Sequence, residues 1–301
     1  LSLSRGSSIV ASNSGTGPGP EVQLIASDIQ LDGASIQSLT TGDGAGGNIS
    51  ITGQTNHLMN GTQIVSSTSG ASDGGNITIS ATDSVSISGY DPTSTLSGIS
   101  TFISDINTGV PLVTSGVFSS TSGGGSGGSV RINAGTATFD NAGTIASIAT
   151  GDGRGGDIAL NVRNLNIQNG GLILNTAGLD FTSFEFKGNG RAGDITIVAE
   201  DSIQVSGFNP NTFAESVIWS WSNNTGDGGN ITLSASNISV QNGGIIQSIG
   251  SGTGNTGSIS ITADQVSISG FDEIGNSSQI SSISPAANSG TITITVQSVN
   301  I

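Results

Sequence analysis

Short apolar–polar alternations recur along the whole chain, and each opens on the same signature. A glycine is followed by Asn, Ser, Asp or Thr and then by an Ile/Val–x–Ile/Leu pair. The signature reads GGNISI at 46–51, GGNITI at 74–79, GGSVRI at 127–132 and GGDIAL at 155–160. It continues as AGDITI at 192–197, GGNITL at 228–233, TGSISI at 256–261 and SGTITI at 289–294, with a degenerate GPEVQL at 19–24. Apolar residues two apart have the period of a strand with one buried face. Nine copies at a basic spacing of 28 residues predict a stacked solenoid, because one unit is too small to bury its own apolar side.

Two more alternating segments follow each signature. Calling the first A, segment B reads DSVSISG at 83–89, DSIQVSG at 201–207 and DQVSISG at 264–270. Segment C reads SIQSL at 35–39, TIASI at 144–148 and IIQSI at 245–249. From A to B the first inward residues are seven apart (Ile49 to Asn56, Ile231 to Ile238) or eight apart (Ile77 to Val85, Ile195 to Ile203). From C to the next A they are thirteen apart, as in Ile36 to Ile49 and Ile145 to Ile158. A small third inward residue (Ala81, Ala199, Ala235, Ala263) suits a corner, and Gly with Asp/Asn-Gly clusters supplies the turn from C to A. The expectation is an all-β parallel β-helix with three strands per coil and about nine coils. At the ~4.8 Å spacing of neighbouring strands the rod is roughly 43 Å long.

Four coils depart from the basic length, and function tends to collect on such insertions. The insertions lie near 89–116, 174–191, 207–216 and 270–279 of a single 1–301 domain. Three open alike, as SGYDP at 88–92, SGFNP at 206–210 and SGFDE at 269–273. They hold Tyr90, Phe102, Phe181, Phe184, Phe186, Phe208, Phe213 and Phe271. The aromatic after Ser-Gly is expected to fold over the corner and pack its loop down. Trp221 aligns with Leu39, Ile148 and Ile249, read as inward, and is assigned to the core. Trp219 aligns with outward Gln37, Ala146 and Gln247, which makes it a candidate contact, since Trp is enriched in binding hot spots.

Charge narrows the function. A net charge of −15 with only six Lys and Arg argues against nucleic acid and against anionic membranes. The chain has no cysteine and no 18-residue apolar run, so neither disulfides nor membrane insertion is expected. It begins and ends at a B segment, from which open ends are expected, either continuing into a longer rod, the favoured reading, or stacking end to end on other copies. The central outward residues of the three segments include no Asp or Glu, and His57 is placed at the solvated surface. No catalytic set is therefore expected. Asp43, Asp73, Asp152 and Asp227 fall in the C-to-A turns, where stacked acids are weak calcium candidates. No other cofactor is indicated.

The GDGGNITISA, DSVSISG and SxISS units resemble the repeat region of filamentous-haemagglutinin-like proteins of the cyanobacterial type, over nearly all of the chain. That resemblance implies a right-handed β-helix, exported by two-partner secretion and displayed at, or released from, the surface of a Gram-negative-type bacterium. The expected function is a structural and adhesive rod whose insertions touch a cell surface, a glycan or other copies of itself. A self-assembling filament subunit and a glycan-binding or glycan-cleaving β-helix are the alternatives.

Overall fold

The computed structural model describes residues 1–93, 103–104, 111–180, 185–186 and 188–297. These residues form strands and turns with no helix. Two stacks of parallel strands face each other across one core. The narrow stack is made of the C segments, from Ser8–Asn13 through Gln63–Thr68, Gly116–Thr121 and Val217–Ser222 to Gln279–Ile283. Its first inward residues pair in one column: Ile9, Ile36, Ile64, Val117, Ile145, Ile173, Ile218, Ile246, Ile280. The broad stack carries the matching column Val22, Ile49, Ile77, Val130, Ile158, Ile195, Ile231, Ile259, Ile292. Insertions leave both columns in register, since Ile64 pairs directly with Val117.

The expectation of three strands per coil is corrected in one respect. A and B run together as single strands of 11 or 12 residues, such as Ile158–Gln168 and Ile77–Ser88. Near the amino terminus they are separate, as Val22–Ile25 and Asp28–Asp32. The corner survives as a change of parity. Ile158, Leu160 and Val162 are buried, Arg163 and Asn164 both leave the core, and Leu165 and Ile167 are buried again. Where a coil with the eight-residue A-to-B step stacks on one with seven, the ladder shifts register by a bulge, as between Asn133 and Thr136. Where two seven-residue coils meet, the pairing is continuous.

The inner face of the C stack is partly polar. Strict alternation puts Ile218, Ser220 and Ser222 inside and Val217, Trp219 and Trp221 outside. Assigning Trp221, with Leu39, Ile148 and Ile249, to the core is therefore corrected: all four share the outer face with Trp219. The inner position between is taken by a serine. The central inner serines are buried, and two of them are seen to bridge neighbouring coils. Ser248 Oγ donates to Gly229 O at 3.1 Å and accepts from Gly257 N at 3.0 Å. Ser220 bridges Gly193 O and Gly229 N in the same way, and Asn175 bridges Gly156 O and Gly193 N.

Outward does not mean exposed on this stack. Val65, Phe118, Ala146, Ile148, Leu172, Leu174, Val217 and Ile245 form a second buried apolar cluster outside the coil. Tyr90, Ala214 and Trp219 pack against it. Phe118, whose side chain is directed outward, is fully buried.

The register makes a sharp prediction. Ile79 is fully buried, whereas Thr78 lies on the outer face beside it. Ile79→Asp should cost several kcal/mol, or force protonation of the new carboxyl, while Thr78→Asp should leave the thermal midpoint nearly unchanged. Ser248→Ala should cost about 1–3 kcal/mol by stranding two buried backbone groups. Equal melting of the first two variants would refute the register.

Candidate recognition surface

The three like insertions leave the rod at the same place, the corner from B to C. Each begins at a glycine in the left-handed region: Gly89 at φ 83°, Gly207 at 88° and Gly270 at 83°. The next two residues pair antiparallel with the returning chain. Tyr90–Asp91 pair with Val113–Thr114, Phe208–Asn209 pair with Ala214–Glu215, and Phe271 bridges Ser277. The Asp or Asn after the aromatic closes a tight turn. Asp91 Oδ1 accepts from Thr93 N, Asn209 Oδ1 from Asn211 N, and Asp272 Oδ1 from Ile274 N and Asn276 N, at 2.7–3.0 Å. This is the side-chain turn chemistry of Asx residues, and it explains the shared D/N of the three motifs.

One serine locks each neck. Ser115 Oγ donates to Ser88 O, Ser216 Oγ to Ser206 O and Ser278 Oγ to Ser269 O, each at 2.7 Å. Each oxygen also accepts from the corner glycine of the preceding coil: Gly61 N, Gly170 N and Gly243 N, at 3.0–3.1 Å. Reading the sequence for aromatic and acidic residues passes over these serines. Their signal is position: Ser stands two residues before the first inward C residue, where coils without this insertion carry Ala34, Thr62, Gly143, Gly171 or Gly244 (Ser7 excepted).

The aromatic candidates divide. Phe208 is buried, with Phe213 edge-on at 6.0 Å. Phe213 is 49 % exposed and sits at φ 54°, a costly conformation for a bulky side chain. Tyr90 is half-buried on the outer cluster. Phe271 is 68 % exposed, so the expectation that it packs its loop down is corrected. Phe102, Phe181 and Phe184 lie outside the described residues, and the backbone of Phe186 pairs with Leu179.

The second and third insertions clasp each other. Asn276 Nδ2 donates to Glu215 Oε1 at 2.7 Å and to Asp272 Oδ2 at 3.0 Å. Burial, and then the charge of Asp272, push the Glu215 carboxyl above its usual range. Ile274, 59 % exposed, stands with Phe271 in the third loop.

The turn acids have a different task from the one stacked calcium ligands would need. Asp73 Oδ1 accepts from Ser126 N at 2.7 Å, Asp152 Oδ1 from Asn189 N at 3.0 Å and Asp227 Oδ1 from Asn255 N at 2.8 Å. Each neighbour one coil along is Ser or Asn, so the acids do not stack on one another. The backbone carbonyl of Asp43 accepts from Ser72 Oγ. Among the described residues no three His, Cys, Asp or Glu side chains converge on a metal-sized site. His57 is half-buried in its strand. A groove of about 510 Å³ on the outer A face is lined by Asn48, Asn76, Ser129 and Arg131, with Glu21 at its edge. Asn48 and Asn76 already accept from Asn76 N and Ser129 N.

Two carboxyls should give opposite pH slopes. Burial raises Asp157, but the hydrogen bonds from Arg154 and Asp194 N and the charges of Arg154 and Arg191 outweigh it and hold it low. Its contribution is present above the ordinary aspartate range and is lost as pH falls through the depressed value. Asp157→Asn should therefore destabilise at pH 7, by no more than about 1 kcal/mol for a pair this exposed, and be silent in strong acid. Glu215 runs the other way: the folded state holds its proton more tightly, so stability falls as pH rises through the raised value. Glu215→Gln should melt slightly above the parent at pH 7, with the gain vanishing in acid. Parallel pH profiles for the two variants would contradict these assignments.

No family model, curated protein or solved structure matches this chain.

Proposed function

We propose that the chain is the shaft of an extracellular structural and adhesive rod: a right-handed β-helix of about nine coils, displayed at a bacterial surface, that touches partners through its loops. The observation that carries this reading is the shared exit of three insertions. Loops that leave separate coils at one corner, through one kind of neck, fall in a row along one edge of a stiff shaft. Such a row suits multivalent contact better than it suits a single enclosed site. Right-handedness follows the strong preference of parallel crossover connections. The acidic charge, the absence of cysteine and the resemblance of the repeats to filamentous-haemagglutinin-like proteins support the extracellular setting.

Among the described side chains, the candidate pair for catalysis is Glu215 and Asp272. Asp272 spends both carboxylate oxygens on holding its own loop. The reading is therefore a clasp, with no turnover of polysaccharide. Cleavage of any polysaccharide that disappears in Glu215→Gln would overturn it.

The adhesive half is tested by replacing Phe213, Phe271 and Ile274 with Ser. Attachment of the labelled chain to intact bacterial or host cells should fall severalfold, with the circular dichroism spectrum and melting retained. Undiminished attachment would leave the rod a passive spacer.

A further inference from the structure

The nine C strands contain no charged residue and no histidine on either face, in a chain of net charge −15. Over the middle coils the outer face of this stack is buried in the second cluster. Toward the last three coils it opens in part, although Val217, Ile245 and Gln247 stay buried. Trp219 and Trp221 are half-buried, Ile249 and Ser281 are partly exposed, and Ile283 is 45 % exposed. The two indoles lie 5.5 Å apart, tilted by 33°. Both are fixed by their N–H groups toward the next coil. Trp219 Nε1 donates to Gln247 Oε1 at 2.6 Å, and Trp221 Nε1 donates to Ser251 Oγ. Gln247 Nε2 in turn donates to Ser281 Oγ at 2.8 Å. The chain of bonds ends on a hydroxyl whose own proton remains to be donated outward.

We propose that this strip is a binding platform for a neutral polysaccharide, with a sugar ring stacked on Trp219 and a sugar hydroxyl accepting from Ser281, while the buried Gln247 holds the indole and the serine in place. Three features select that ligand. The strip lacks charge, so it offers nothing to a polyanion or a basic protein. Indole presents a flat apolar face of the kind that the C–H side of a pyranose covers, while the Ser281 hydroxyl matches the sugar's rim. The indoles stand on a rigid sheet with their orientation already fixed, which lowers the ordering cost of binding. The proposal deepens the adhesive reading above and rests on its extracellular setting.

The test uses the 301-residue chain in native gels cast with hydroxyethylcellulose, mannan or, as the anionic control, alginate. Retardation is expected in at least one neutral gel and not in alginate. Trp219→Ala should weaken it by about tenfold or more, as loss of a hot-spot aromatic does, with Thr232→Ala, on the exposed outer face of Ile231–Gln241, unchanged. A second measurement needs no variant: soluble oligosaccharides of the retarding polymer should protect the parent's tryptophan fluorescence from acrylamide. No retardation in either neutral gel, retardation indifferent to Trp219→Ala in a folded variant, or no protection from the quencher would each overturn the platform. Cell attachment without neutral-glycan retardation would sink the platform and leave the adhesive rod. Retardation without cell attachment would do the reverse.

Discussion

The structure depends on how closely consecutive coils approach at the turn from C to A. The second glycine of each signature lies directly over the carbonyl of its counterpart one coil back. A Cβ on Gly75 would overlap Gly47 O, one on Gly128 would overlap Gly75 O, and one on Gly257 would overlap Gly229 O. Beside this glycine column runs the inner serine column, whose hydroxyls bond the same glycine carbonyls. Glycine is required there by space, not by an unusual φ. A coil can change length only where this contact is preserved, and the fourth insertion shows how. After 187 the chain re-enters as GNGRAG, and Gly188, Gly190 and Gly193 stack on Gly151, Gly153 and Gly156.

At the B-to-C corner the close glycine contact is made only in some coils, by Gly143, Gly171 and Gly244 over Ile87 O, Phe139 O and Val205 O, and the other three insertions occur there, in coils that carry serine at that position. A neck still has to be closed, because a broken ladder leaves unpaired backbone groups. The neck serine meets that need twice, toward its own coil and toward the corner glycine of the coil before. The insertions thus extend the hydrogen-bonded stack. They also exclude water from part of the outer C face, which becomes a second core with Phe118 at its centre.

The columns of Ile and Val were legible because their spacing is exact arithmetic on sequence and stacking preserves it. The seven- and eight-residue steps also carried real information, since they mark where the ladder bulges. What failed was the inner side of segment C. A buried serine reads as a surface residue until its partner, a glycine carbonyl about nineteen residues back, is known. Reading Ile148 and Trp221 as inward broke the strict alternation that places the serine inside. The candidate contacts were legible as names and not as exposures. Phe208 and Phe271 occupy the same motif, yet Phe208 is buried with Phe213 against it while Phe271 stands exposed. The clasp of Glu215 by Asn276 joins residues 61 apart and leaves no local trace.

Stacking creates a further difficulty, since any charge repeated in register meets its copy one strand spacing away, roughly 4.8 Å. The chain handles this column by column. The ladder through Asp73, Ser126, Arg154, Arg191, Asp227 and Asn255 mixes acids with neutral and basic residues. In the column just before segment A, acids meet only at Asp157 and Asp194. There Arg154 reaches both, at 2.6 and 3.1 Å, and Arg191 holds Asp194 at 2.8 Å. The C stack takes the remaining option and carries no charge at all. Its outer face is consequently the side of an acidic rod from which neither a cation nor an anion gains electrostatically. Covering that face with insertions hides the apolar part of it. The part left open sets indoles and the Ser281 hydroxyl beside Ile249 and Ile283, and this composition is compatible with water and with a hydroxyl-rich partner alike.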